Sequence, residues 1–187
     1  MAKVLVIRLS AIGDVAMTVP VIYSAAKANP EDSFTVLTQA FLMPLFMNRP
    51  PNVEVIGINT KGAEKGLIGL LKFISALLKF DFDVILDLHN VIRTIIICTF
   101  FRLNGKRVFV LDKARKERKR LTAIKGKRLY PLRPVIVRYA DVFRAAGLNY
   151  TETFTSLYEE FPAELSGMAS VAGIKKGKWI GCLLYTS

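Results

Sequence analysis

The chain has 187 residues, 52% of them apolar, a mean hydropathy of +0.35 and a formal net charge of +12. That length suits one domain, or one domain and the start of another, and the composition supports a sizeable core rather than intrinsic disorder. No uninterrupted apolar run approaches the roughly 18 residues needed to cross a bilayer, and Cys98 and Cys182 have neither metal nor disulfide spacing. Four apolar residues, Val4 to Ile7, separate Lys3 from Arg8. That does not read as a secretory signal, so a reduced, cytoplasmic setting is expected.

Val4-Leu5-Val6-Ile7 reads as a first strand, followed at once by Arg8-Leu9-Ser10-Ala11-Ile12-Gly13-Asp14-Val15, a glycine-bearing turn into a helix. In α/β sheets ligands sit at the carboxyl ends of the strands, so this turn directs side chains towards a site. A helix is expected over 15–28, where Pro20 is tolerable only near the first turn. Residues 34–37 read as a short strand, 41–47 as a helix fragment before the break Arg49-Pro50-Pro51, and 53–58 as an alternating third strand. Leu67, Leu70, Leu71, Ile74, Leu77 and Leu78 lie at helical spacing within 66–80. A buried strand over 84–88, a helix over 91–103 and a strand over 107–111 continue the alternation. A helix over 134–146 closes at Gly147, and a short helix over 162–171 closes at Gly173. This order predicts an α/β fold with a doubly wound, mostly parallel, Rossmann-like sheet.

The last part of the chain breaks the pattern. Residues 173–178 read as a linker, Trp179-Ile180-Gly181 begins a new buried strand, and 182–187 stop without a helix to cover it. A domain boundary near residue 175 is expected, giving domains 1–174 and 175–187, with 182–187 as candidate foreign sequence.

Several residues have competing readings. Asp14 can bind a ligand, take a proton, or cap its helix by accepting a backbone N–H. Gly13 permits an unusual backbone angle or a close approach, and Ser10 either meets a ligand or caps the turn. His89 is the single histidine, which rules out a multi-histidine metal site or a catalytic histidine network. It sits at a strand's carboxyl end beside Asn90 and one helical turn before Arg93, as a ligand contact or a structural residue. Arg93 pairs with a phosphate or carboxylate, or neutralises Asp87. Asp81-Phe82-Asp83 spells an acid-x-acid metal pattern, but at the amino end of its strand, the wrong edge for a site.

Between Lys113 and Arg133 ten Lys or Arg residues face one acid, Glu117. Such a segment is a solvated loop or attracts phosphate-rich partners. No aromatic lies among its charges before Tyr130, so a phosphorylated glycan or an anionic membrane surface is favoured over nucleic acid.

The opening motif, with Thr18 and Pro20 after it, resembles the N-terminal signature of glycosyltransferase family 9, the ADP-heptose:lipopolysaccharide heptosyltransferases. Phe82-Asp83-Val84-Ile85-Leu86-Asp87-Leu88-His89-Asn90, the basic insert, the helix with Arg138-Tyr139 and the run into Lys178-Trp179-Ile180-Gly181 are similar as well. The resemblance covers residues 1 to 181. It implies the N-terminal, acceptor-binding half of a two-domain GT-B fold and an inverting transfer without metal or other cofactor. The donor, ADP-heptose or a similar nucleotide sugar, would bind mainly to the second domain, so this chain alone is expected to be inactive. The acceptor would be a lipopolysaccharide inner-core or lipid A-type molecule, met at the inner face of the inner membrane. The resemblance makes Asp14 the general base, with acceptor contacts among Arg8, Ser10, Gly13, His89, Asn90, Arg93, Lys113, Arg115 and Arg138. Of those cations only Arg8 belongs to the opening motif, and Tyr139 reads equally as plain core.

Two other functions compete. A nucleotide-binding oxidoreductase is disfavoured because the first turn has one glycine and no G-x-G-x-x-G, and no Walker loop is present. A non-catalytic module could bind anionic glycan, lipid surface or nucleic acid through the 113–133 segment.

Overall fold

Five short apolar runs separated by helical ones can bury both sheet faces only if helices cross over between parallel strands. The computed structural model describes residues 1–62, 65–124 and 130–157, and it has this architecture. The strands are β1 (Lys3–Ile7), β2 (Ser33–Gln39), β3 (Val53–Ile58), β4 (Val84–Asp87) and β5 (Arg107–Val110). All four strand pairings are parallel, in the order β3-β2-β1-β4-β5. The expected Rossmann-like α/β sheet is therefore present, with β1 at its centre and the order reversing there. That reversal is the topological switch point, where a crevice opens outside the carboxyl ends of the strands.

The helices are α1 (Ile12–Ala16), α2 (Val19–Ala28), α3 (Gly66–Leu78), α4 (Ile92–Leu103), α5 (Arg115–Leu121) and α6 (Val135–Ala145). One face of the sheet buries Leu5, Ile7, Leu37, Ile58 and Ile85 against Leu70, Ile74 and Leu77 of α3 and Ile97, Cys98 and Phe101 of α4. On the other face Phe34 stacks on Phe143 of α6, ring centroids 6.5 Å apart, and α6 packs on α2. The alternation of Cβ directions along β1 supplies both cores from one strand. Among the described residues, no helix is long and apolar enough to cross a membrane.

The predicted helix over 15–28 is instead two helices. In a continuous helix the Pro20 ring would strike the carbonyl of Ala16, four residues back. The chain breaks at Met17-Thr18, where the Thr18 hydroxyl donates to the Val15 carbonyl at 2.7 Å. Helix α2 then starts with Pro20 in its first turn. The helix fragment expected over 41–47 is a 3₁₀ helix, Ala40–Phe46, that accommodates Pro44. The basic run is not a loop throughout: seven of its residues form α5, none of them buried. The close of α6 is as expected. Gly147 has φ +84°, and the amides of Gly147 and Leu148 donate back to Arg144 and Phe143, a left-handed glycine stop.

The chain divides into a compact unit, Met1–Thr155, and a second, Ser156–Ser187. The helix expected over 162–171, the linker, the boundary near 175 and the strand at Trp179 lie outside the described residues.

Gly57 in β3 marks the closest approach of the 3₁₀ turn. A Cβ there would lie 2.7 Å from Met43 Sδ and 2.8 Å from Ala40 Cα. The thioether can swing aside, but the backbone of Ala40 cannot move without disturbing the edge of the sheet. Gly57→Ala is expected to destabilise the fold by about 1–3 kcal/mol, measured by urea denaturation.

Candidate functional site

At the carboxyl end of β1 the chain places a charged residue where the sheet has no more room for water. Arg8 is only 6% exposed. A buried guanidinium is tolerated only with strong partners, and the fold supplies them from three elements. Nη1 donates to the Leu88 carbonyl, just past β4, at 2.6 Å. Nη2 pairs with the Asp14 carboxylate. Its guanidinium carbon lies 5.8 Å from the centre of the Tyr139 ring in α6, a cation–π distance. Asp14 is not a cap. The N-cap of α1 is Ala11, without a side-chain hydrogen bond, and Asp14 stands two residues into the helix with its side chain 42% exposed. Its carboxylate is fixed from one side and open on the other.

The turn after β4 forms the second wall. Asp87, fully buried, accepts the backbone N–H groups of His89 and Asn90 at 2.9 and 2.8 Å. Its other oxygen accepts the Thr94 hydroxyl at 2.8 Å, with the Cys98 thiol at 3.8 Å. Asp87 is thus a buried backbone latch; burial first, and then the Asp87 charge, pushes the Cys98 thiol up to about 12, which leaves it inert. Asn90 takes φ +50°, a left-handed conformation asparagine tolerates, and its amide donates to the Leu111 carbonyl at 3.0 Å. This turn sets His89 Nε2 at 3.4 Å from the Ser10 hydroxyl. Burial first, and then the charges of Arg8 and Lys113, push His89 down to about 4. The imidazole is neutral at physiological pH.

The third wall follows β5. Lys113 and Arg118 face the cleft, and Arg138 reaches from α6 to donate twice to the Asp112 carbonyl, at 3.1 and 2.6 Å. Burial and the charges of Arg115, Arg8 and Arg118 hold the Lys113 ammonium below its ordinary value. These walls enclose a cleft of about 370 Å³ at the carboxyl edge, lined by Arg8, Ser10, Asp14, His89, Lys113 and Arg118, with Arg138 and Tyr139 on the α6 side.

Six of the expected residues therefore meet in one place: Arg8, Ser10, Asp14, His89, Lys113 and Arg138. Asn90 and Arg115 line an adjoining cleft of about 430 Å³ that shares Lys113. Arg93 lies in the first turn of α4 and lines neither cleft. Gly13 also lines neither. Its φ is not positive, and nothing lies within 4 Å of a Cβ built on it, so neither expected backbone role applies within the chain. Asp81 pairs with Lys106 at 2.6 Å, and Asp83 accepts the Lys3 N–H at 2.8 Å, both at the amino edge. The sequence reading missed Arg118 and left Tyr139 undecided. Nothing local sets Arg118 apart from the other exposed charges of α5. Nothing local distinguished Tyr139, because its position depends on the packing of α6.

The lowered His89 value sets a pH dependence. The unfolded chain protonates this imidazole as pH falls below 6.5, while the folded protein resists until about 4. Stability from this source is complete above 6.5 and is lost progressively between 6.5 and 4. Urea midpoints measured across that window should fall less steeply for His89→Gln than for the parent chain.

No family model matches the sequence, and no curated protein matches it. Solved structures do. A glycosyltransferase family 9 protein from Veillonella parvula aligns with a TM-score of 0.64 at 20% identity, covering 93% of this chain and 51% of that one. The E. coli heptosyltransferase WaaC with ADP-2-deoxy-2-fluoro heptose aligns at 0.55 and 21% identity, covering 82% and 50%. E. coli ADP-heptose lps heptosyltransferase II aligns at 0.54 and 21% identity, covering 93% and 51%. The chain spans about half the length of each of these structures. Over that half it has the fold they share.

Proposed function

We propose that this domain is the acceptor side of a glycosyltransferase of the heptosyltransferase kind, with Asp14 as its general base. The observation that carries this reading is the Asp14 carboxylate itself: held by a buried arginine and open to a cleft whose other charged groups are cationic. A likeness of fold to heptosyltransferase structures supports it. In the proposed step the acceptor O–H bond breaks and its proton passes to Asp14. The freed oxygen bonds to the anomeric carbon from the face opposite the leaving group. The bond to the nucleotide diphosphate breaks, and its electron pair leaves with the diphosphate. A carboxylate is a sufficient base because the transition state is oxocarbenium-like and the nucleophile needs little activation. The step assigns no role to a metal.

Ser10 and neutral His89 orient the acceptor hydroxyl, and Lys113, Arg118 and Arg138 meet the negative groups of a lipopolysaccharide inner-core acceptor. The donor, ADP-heptose or a similar nucleotide sugar, binds outside the described residues. Transfer is therefore proposed for a protein that pairs this domain with a donor-binding one, and residues 1–187 alone are proposed to bind acceptor without turnover. In the paired enzyme Asp14→Asn should slow transfer by about 10²–10⁴-fold with acceptor KM little changed. Near-normal transfer by that variant would overturn the assignment of the base.

The exposed charges of α5 serve peripheral contact with an anionic membrane at its cytoplasmic face. Sedimentation with phosphatidylglycerol vesicles should fall steeply as ionic strength rises, because contacts between exposed charges are screened over a Debye length of about 10 Å at 0.1 M salt. Salt-independent sedimentation would remove α5 from this role.

A further inference from the structure

Helices α3 and α4 are neighbours on one face of the sheet, and each presents apolar residues in two directions. Inward, Leu70, Ile74 and Leu77 of α3 and Ile97, Cys98 and Phe101 of α4 belong to the core. Outward, Leu67, Ile68 and Leu71 of α3 and Ile92 and Ile95 of α4 are exposed, Ile68 at 73% and Ile92 at 79%. A helix covering a sheet ordinarily turns a polar face to water, and one that is apolar on both sides is ordinarily enclosed. The five residues are also concentrated at one end. Helices that cross between parallel strands run against them, so the first turns of both helices lie at the carboxyl edge of the sheet. Leu67, Ile68 and Leu71 fall in the first two turns of α3, and Ile92 and Ile95 in the first turn of α4.

Charge narrows what can cover this face. Taken with their capping residues, the two helices carry Lys65, Lys72, Lys79, Arg93 and Arg102 and not one Asp or Glu. A second copy docked here would bring the same cations together across a two-fold axis, on a chain of net charge +12, so charge opposes it. An anionic bilayer supplies phosphate for the cations and hydrocarbon for the aliphatic side chains. We propose that the outward face of α3 and α4 seats this domain on an anionic lipid bilayer, with Leu67, Ile68, Leu71, Ile92 and Ile95 entering the boundary between headgroups and acyl chains. This rests on the membrane contact proposed for α5 and adds an apolar anchor to it. The α5 contact is electrostatic and is screened by salt, whereas burial of aliphatic groups is not. The docked turns share the carboxyl edge with the Asp14 cleft.

The test uses the 187-residue chain and sedimentation with vesicles containing phosphatidylglycerol. Binding should fall as salt rises but level off at a residual that about 1 M salt, with its Debye length of about 3 Å, does not remove. Ile68→Glu and Ile92→Glu, both at exposed sites, should keep the parent Tm and each lower the residual affinity about tenfold or more, the loss expected when a buried aliphatic side chain is withdrawn. Lys27→Glu, on α2 at the opposite face of the sheet, removes twice as much positive charge and should leave the residual binding as it was. If binding vanishes at high salt and both glutamate variants match the parent at low salt, the apolar anchor falls and the α5 contact stands. Residual binding that both variants keep places the anchor elsewhere in the chain and overturns this face. A parent that sediments with no vesicle removes both membrane readings. A parent that binds no vesicle but forms dimers dissolved by Ile68→Glu gives the face to a second copy and overturns the proposal.

Discussion

The burial of one guanidinium organises this structure. Arg8 follows the central strand, and its side chain is almost wholly buried, so most of its charge must be met inside the protein. The elements that meet it are the end of β4 through the Leu88 carbonyl, α1 through Asp14, and α6 through the Tyr139 ring. Without them a buried charge of this kind is strongly destabilising. The requirement ties α1 and α6 to the end of the central strand, beside the cleft. The catalytic assignment depends on the same contact, because a carboxylate at the start of a short helix would otherwise sample many rotamers in water. Pairing with an immobile arginine removes that freedom while leaving the side chain 42% exposed.

The charge of the chain acquires a location from the same geometry. A net charge of +12 over 187 residues could have meant a uniformly solvated surface. Instead Lys113, Arg118 and Arg138 face one cleft with Arg8, and Asp14 is the one carboxylate lining it. Like charges brought together raise each other's free energy, and the depressed value of Lys113, with burial as its largest cause, records this. An anion entering the cleft lowers that energy, so binding and protonation of Lys113 are coupled. Helix α5 contributes through position rather than packing. None of its residues is buried, and its place follows from the chain between β5 and α6.

The sheet was legible in the sequence because its signals are short-range: runs of apolar residues of strand length separated by helical repeats. The turn after β1 was legible for the same reason, since a strand, one glycine and a carboxylate are adjacent in the chain. What escaped was set by contacts between distant residues. The break at Met17-Thr18 is the exception, a local clash of Pro20 with the Ala16 carbonyl inside an otherwise continuous hydrophobic period. Helix α5 was obscured by its charge, which in a helix of exposed residues carries no amphipathic signal. Tyr139 presents an ordinary core pattern on α6. Only the fold reveals that it lies under Arg8 and beside the cleft, more than a hundred residues away in the chain.

The division of labour in the proposed transfer follows from where these charges are committed. A base accelerates attack by removing a proton, but inverting transfer also requires stabilisation of the departing diphosphate, which develops negative charge on the opposite side of the sugar. The guanidinium of Arg8 is committed to Asp14 and the Leu88 carbonyl. Lys113, Arg118 and Arg138 stand on the same wall as the acceptor they are proposed to hold. A cation on that wall cannot also meet a leaving group on the far face of the anomeric carbon. In the proposed reading the cleft selects an acceptor and activates its hydroxyl, and the groups that would hold the diphosphate are assigned to another surface. In the proposed transfer, selection and leaving-group stabilisation then act on opposite faces of one sugar.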